Sequence, residues 1–281
     1  MKLFSIIYIM RIISTAMRQA VSGMRLSLLA LSFALLSVHF HPVEAQDTLS
    51  LPGIIGSDNR VPIDSSAWPW SSIGRINRTV GGFCTGTLIA PRHVLTAAHC
   101  MFDSRNARPL APEEIHFVAG YKRDSYIAHS KARSIHLAEG FQYGTSDGDT
   151  LSNDWALVEL RKEIPLRPLP VHEFTRDGQN LKLPAEPSIL RAGYSQDRAH
   201  LLAAHNGCSV EGTAESGRIL LHNCDATRGD SGSALLMKSR DGEYRILGVS
   251  VAVRQYGSRN YGVAVPALNF SEMLRAKGLL P

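Results

Sequence analysis

The sequence predicts an all-β protein whose short antiparallel strands close into barrels. Short apolar or alternating runs bounded by Gly, Pro or Ser recur along the chain, and a helical pattern occurs only at its end. The chain carries 23 Gly and 14 Pro in 281 residues, the turn content that many short strands need.

The strand-like runs begin after Ile54. Trp70 to Ile76, Phe83 to Ile89, His93 to Ala97, Ile115 to Ala119, Ser134 to Ala138 and Trp155 to Leu160 make a first series. Beyond Pro165-Leu166-Arg167-Pro168 a second follows: Ser188 to Gly193, Ser216 to His222, Ala234 to Met237, Tyr244 to Val253 and Tyr261 to Val265. Ala267 to Leu274 places apolar residues at helical spacing after Pro266 and stops before Gly278. Met101 to Glu114 and Gly140 to Asn153 read as long loops suited to substrate contact.

Residues 1–45 read as an export signal, with Met17 or Met24 as further possible starts. Arg25 precedes the apolar run Leu26 to Val38, and Val43-Glu44-Ala45 offers a small-x-small cleavage site. That run is too short to span a bilayer, so no stable membrane span is expected in the mature protein. Residues 46–53 read as a short propeptide or linker before the body of the protein, 54–281.

The formal net charge is +5, but Lys2, Arg11, Arg18 and Arg25 against Glu44 place +3 of it in the leader. The remainder is too nearly neutral to argue for nucleic acid or an anionic membrane as partner. Four cysteines suit an oxidising compartment, and no pair has metal-ligand spacing. They allow three pairings. Cys84–Cys100 with Cys208–Cys224 is favoured, each loop of about 16 residues contributing ~3 kcal/mol by chain entropy. No cofactor or metal is expected. Asp147 and Asp149 read as a solvated acidic loop, because a full calcium ligand set is missing.

Three motifs carry chemistry. Gly229-Asp230-Ser231-Gly232-Ser233 places a serine among glycines that let amide N–H groups point at a developing oxyanion, although the same residues also make a surface turn. Leu95-Thr96-Ala97-Ala98-His99-Cys100 ends an apolar strand on a histidine. Asn153-Asp154-Trp155-Ala156-Leu157-Val158 sends a carboxylate into an apolar strand, where it needs a partner. A histidine N–H is the obvious one.

These motifs, with Phe83-Cys84-Thr85-Gly86-Thr87-Leu88-Ile89, resemble trypsin- and chymotrypsin-like serine proteases, particularly bacterial secreted members, from about Ile54 to Leu274. The resemblance implies two packed six-stranded antiparallel β-barrels, about 54–166 and 167–274, with a C-terminal helix. It matches Cys84–Cys100 to the family's first disulfide. It implies a serine-type endopeptidase, secreted or periplasmic and monomeric, acting on protein or peptide substrates. Ser231 would be the nucleophile, His99 the general base, Asp154 its orienting group, and the N–H groups of Gly229 and Ser231 the oxyanion hole. A non-catalytic binding member of the fold is the rival reading.

The resemblance also places Asp225, six before the nucleophile, at the base of the primary specificity pocket, which implies cleavage after Arg or Lys. Ser250, Ala252 and Gly262 would form the walls. However, Cys224-Asp225-Ala226-Thr227 and Asp58-Asn59-Arg60-Val61-Pro62 also resemble secreted bacterial glutamyl endopeptidases, which carry an aspartate there without cleaving after basic residues. That subgroup often has a histidine near Val249, and none is present here. Finally, Ile54-Ile55-Gly56-Ser57 resembles the family's activated N-terminus, which implies pairing of Ile54 with Asp230. Gly53 before it is not a trypsin-like cleavage site.

Overall fold

The computed structural model describes residues 51–145, 147–177, 180–183, 189–239 and 242–280. The predicted leader and most of the predicted linker lie outside the described residues.

Six strands close the first barrel: β1 (Ile73–Arg78), β2 (Phe83–Ala90), β3 (His93–Thr96), β4 (Ile115–Ala119), β5 (Ala128–Leu137) and β6 (Ala156–Leu160). Hydrogen bonding runs β1-β2-β3-β6-β5-β4 and returns from β4 to β1. Ile73, Ile76, Leu88, Val94, Ile115, Phe117, Leu157 and Leu160 are buried in the core. Closure removes the free edges that so many short strands would otherwise expose.

The second half is an eight-stranded sheet. It holds β7 (Ile189–Gly193), β8 (Ala203–Cys208), β9 (Val210–Ala214), β10 (Ile219–His222), β11 (Ala234–Lys238), β12 (Tyr244–Tyr256) and β13 (Arg259–Pro266). A two-residue strand, Val61–Pro62, caps the β8 edge. The order beyond it is β8-β7-β11-β12-β13-β10-β9. The six-stranded closed barrel expected here is therefore an open eight-stranded sheet by hydrogen bonding. Yet β8 and β9 lie near opposite ends of that order with only Ser209 between them, so the sheet must curl on itself. The disulfide Cys208–Cys224 ties the end of β8 to the chain leaving β10.

The C-terminal helix forms as α2 (Leu268–Ala276) and buries Phe270 and Leu274, Phe270 packing on Trp155 with ring centroids 5.6 Å apart. The 140–153 loop also contains a five-residue helix, α1 (Gly148–Ser152). Its cap is Asp147, whose Oδ1 accepts from Thr150 N at 2.7 Å, so this exposed acid also has a structural role.

Candidate active site

His99 lies on a single helical turn, Ala98–Met101, that follows β3. The turn is pinned because Cys100 is buried and bonded to Cys84 on β2. Asp154 sits just ahead of β6, the strand that pairs with β3, so the barrel brings the two residues together. The His99 backbone N–H donates to Asp154 Oδ1 at 2.9 Å, and His99 Nδ1 lies 2.7 Å from Oδ2. Both carboxylate oxygens are thus occupied, which fixes the ring's orientation and leaves Nε2 for chemistry.

Ser231 lies between β10 and β11. Its loop is held by Asp230 N to Thr227 O (3.1 Å), Gly232 N to Ser250 O (2.8 Å) and Ser233 N to Asp230 O (2.9 Å). Gly229 has φ +94°, and a Cβ there would stand 2.7 Å from Tyr194 O, so only glycine fits. Among the described residues, the N–H groups of Gly229 and Ser231 have no partner, and Ser231 Oγ and His99 Nε2 are not hydrogen-bonded to each other. Ser231 and His99 do line one cavity of about 630 Å³. Catalytic hydrogen bonds commonly tighten only when substrate arrives.

Thr85 joins the two halves. Its N–H donates to Ser231 O at 2.9 Å and its hydroxyl to Gly229 O at 3.0 Å, while Tyr194 N donates to the same hydroxyl at 2.9 Å.

The substrate-pocket expectations divide. Ser250 and Ala252 line a second cavity, about 420 Å³, beside Ser231. Asp225 does not. It is fully buried, and its carboxylate accepts from Ile55 N (2.8 Å), Asn59 N (2.8 Å) and Asn59 Nδ2 (3.3 Å), with His205 Nδ1 at 3.2 Å. Burial alone would raise this carboxyl; the contacts with His205, Asn59 and Ile55 outweigh it and hold it below its ordinary range. The N-terminal segment has turned Asp225 away from the pocket.

Gly262 is also not an open wall. A Cβ there would meet the His222 ring at 2.1 Å, so the missing side chain houses a buried imidazole. Burial, with smaller contributions from Arg191 and His205, pushes His222 down to about 3, so it is neutral; its Nδ1 accepts from Cys224 N at 3.2 Å and its Nε2 has no partner. Pro52 and Gly53 line the pocket instead, and Gly53 O accepts from Ala226 N at 3.0 Å.

In the uncut chain Ile54 has no free ammonium to offer Asp230, and its N–H donates to Leu51 O at 3.0 Å. Asp230 pairs with Arg191, whose Nη1 is 2.6 Å from Oδ1. Ser195 Oγ donates to Oδ2 at 2.6 Å and Thr227 N at 2.8 Å. Arg191 is fully buried, and its Nε donates to Asp225 O at 2.6 Å. A buried carboxylate needs a cation, and this chain supplies one from β7 rather than from a chain terminus. Arg191 could have been suspected from sequence as a lone charge in an apolar strand, whereas Thr85, Ser195, His205 and His222 carry no such signal.

Residues 55–274 match the family described as Trypsin. This chain belongs to the trypsin family. Serine protease 23 of Bos taurus is 28% identical over 172 residues, 55% of this chain and 44% of that protein. Inactive serine protease 35 of Mus musculus is 23% identical over 214 residues, 56% of this chain and 49% of that protein. The glutamyl endopeptidase of Bacillus licheniformis is 38% identical over 122 residues, 43% of this chain and 36% of that protein. The chain thus spans less than half the length of these curated relatives. A solved Glu endopeptidase in complex with MPD superposes with TM-score 0.63 at 23% identity over 80% of this chain and 99% of its own, a likeness of fold alone. Because one relative of this trypsin-family member is named inactive, membership does not by itself decide catalysis. The site residues must.

Proposed function

We propose that the protein is an exported serine endopeptidase. Ser231 Oγ attacks the scissile carbonyl while His99 Nε2 takes its proton, then returns it to the leaving amine. Asp154 holds the histidine tautomer and stabilises the imidazolium. The free N–H groups of Gly229 and Ser231 receive the oxyanion, each such donor being worth ~3 kcal/mol. Water then hydrolyses the acyl-enzyme. The observation that carries this reading is the doubly bonded Asp154–His99 pair facing the cavity that Ser231 lines. Two disulfides and the leader-like residues 1–45 support export.

For the residue before the scissile bond, the position of Asp225 favours a glutamyl-type preference over Arg or Lys. Among the described residues the pocket has no free carboxylate: Asp225 is outside it and Asp230 is paired with Arg191. The unpaired charge on its wall is Arg228. The name of the Bacillus licheniformis relative points the same way.

Fluorophosphonate labelling of the processed protein, abolished in Ser231→Ala, is the expected result; an unlabelled protein sinks the enzyme reading. Digestion of a peptide library should show cuts after Glu. Cuts after Arg or Lys would restore the basic preference.

A further inference from the structure

A strand edge and three cavities surround Ser231 and His99. β11 pairs with β12 only as far as Ala234 with Val249, so Val251 to Val253 present an edge free of that neighbour. Those three residues line both the 420 Å³ pocket and a third cavity that contains His99 and Asp154. With the residue before the scissile bond in the 420 Å³ pocket, as proposed above, the acyl half of the peptide runs along this edge as an added strand. The 630 Å³ cavity contains none of the three, shares Ser231 and His99, and extends past the Cys84 side of the cleft. It therefore receives the leaving half.

That cavity is lined by Arg78, Arg105 and Arg228. Among the described residues none of the three has an ion-pair partner, whereas Arg60, Arg92, Arg108, Arg161, Arg191 and Arg198 all do. Arg78 is the most committed. It is half-buried, its Nε is buried without a partner, and its Nη1 reaches only the Phe102 carbonyl at 3.3 Å. The one carboxylate in the lining, Asp103, is spent on its own turn, with Oδ1 accepting from Arg105 N at 3.0 Å and Oδ2 from Asn106 Nδ2 at 2.7 Å. Three guanidinium groups, the half-buried Arg78 and the exposed Arg105 and Arg228, outnumber the single Asp103 carboxylate and leave the lining net positive, complementary to carboxylates.

We infer that the leaving-group side of the cleft selects acidic side chains, so that preferred substrates carry Asp or Glu among the first three residues after the scissile bond. This inference rests on the serine endopeptidase reading. It stands on Arg78 and Arg105, which line that cavity alone, because Arg228 also lines the 420 Å³ pocket and is shared with the preference before the bond.

The test is a proteome-derived peptide library cleaved by the processed protein, with both sides of every cut read by mass spectrometry. Asp and Glu should be enriched about tenfold over Lys and Arg at those three positions, the selectivity of one well-placed charge contact. The enrichment should shrink as salt is raised from about 0.05 to about 1 M. Arg105→Glu leaves two arginines against two carboxylates in the lining and should erase the enrichment while cutting and fluorophosphonate labelling persist, which misfolding cannot imitate. A library cut without acidic enrichment after the bond overturns the inference and leaves the protease reading intact. Absence of fluorophosphonate labelling and of all cuts overturns the protease reading itself.

Discussion

The buried pair Arg191–Asp230 is the most exposed commitment of the structure to a measurable number. In Arg191→Leu the 2.6 Å contact to Asp230, the bond to Asp225 O at 2.6 Å and that to Ser233 Oγ at 3.3 Å are lost together. The leucine fills part of the volume, but Asp230 stays fully buried with Ser195 Oγ and Thr227 N as neutral donors. The nearest remaining cation is Arg60, 4.0 Å away and already engaged by Asp58 and Asp197. Stranding a buried charge costs ~3–5 kcal/mol. For a body of this size that lowers the melting temperature by roughly 6–20 °C. Asp230 directly precedes Ser231, so fluorophosphonate labelling of the folded fraction should slow as well. Urea unfolding supplies the stability, and the double variant with Asp230→Asn isolates the pair. Removing both charges should cost less than the sum of the single losses by 2 kcal/mol or more, on the order of buried-pair couplings. Additive losses, or an Arg191→Leu loss below about 1 kcal/mol, would refute the claim that Arg191 neutralises Asp230.

Two further perturbations follow from the pocket's surroundings. His222 is pushed from 6.5 to about 3 in the folded protein, so below 6.5 the unfolded chain binds a proton that the native state refuses. Stability should therefore fall as pH drops from about 6.5 toward 3, by up to ~1.4 kcal/mol per pH unit from this group, and chemical denaturation of His222→Leu should show that much less slope across the window. Asp225→Asn should lower the melting temperature by loosening the segment at Ile55 and Asn59, yet leave the library profile before the scissile bond unchanged; a lost preference for Arg or Lys would mean that Asp225 does reach the substrate.

What could be read in the sequence is what short motifs fix locally. His99 ends an apolar strand, and Asp154 enters the strand that pairs with it, so their meeting follows from barrel closure. The terminal helix follows from its periodicity, and the favoured one of three cysteine pairings is the one that forms. The pocket was not legible because its side-chain directions depend on distant chain. Asp225 is turned by Ile55 and Asn59, about 170 residues away in sequence. Gly262 reads as an opening until His222 on the neighbouring strand is seen to fill it. Asp230 was expected to need a cation, and Arg191 supplies one from β7, a contact that no local motif announces.

The Thr85 linkage bears on how the two halves of the molecule can move. Ser231 and His99 come from different sheets, and relative sliding of those sheets would ordinarily carry one away from the other. Thr85, however, belongs to β2, which pairs with the strand leading into His99, and its own carbonyl accepts from Thr96 Oγ1 at 2.8 Å. The serine loop is thus moored to the histidine's barrel at both Gly229 and Ser231. Sliding of one half past the other must therefore break the Thr85 contacts before it can separate Ser231 from His99.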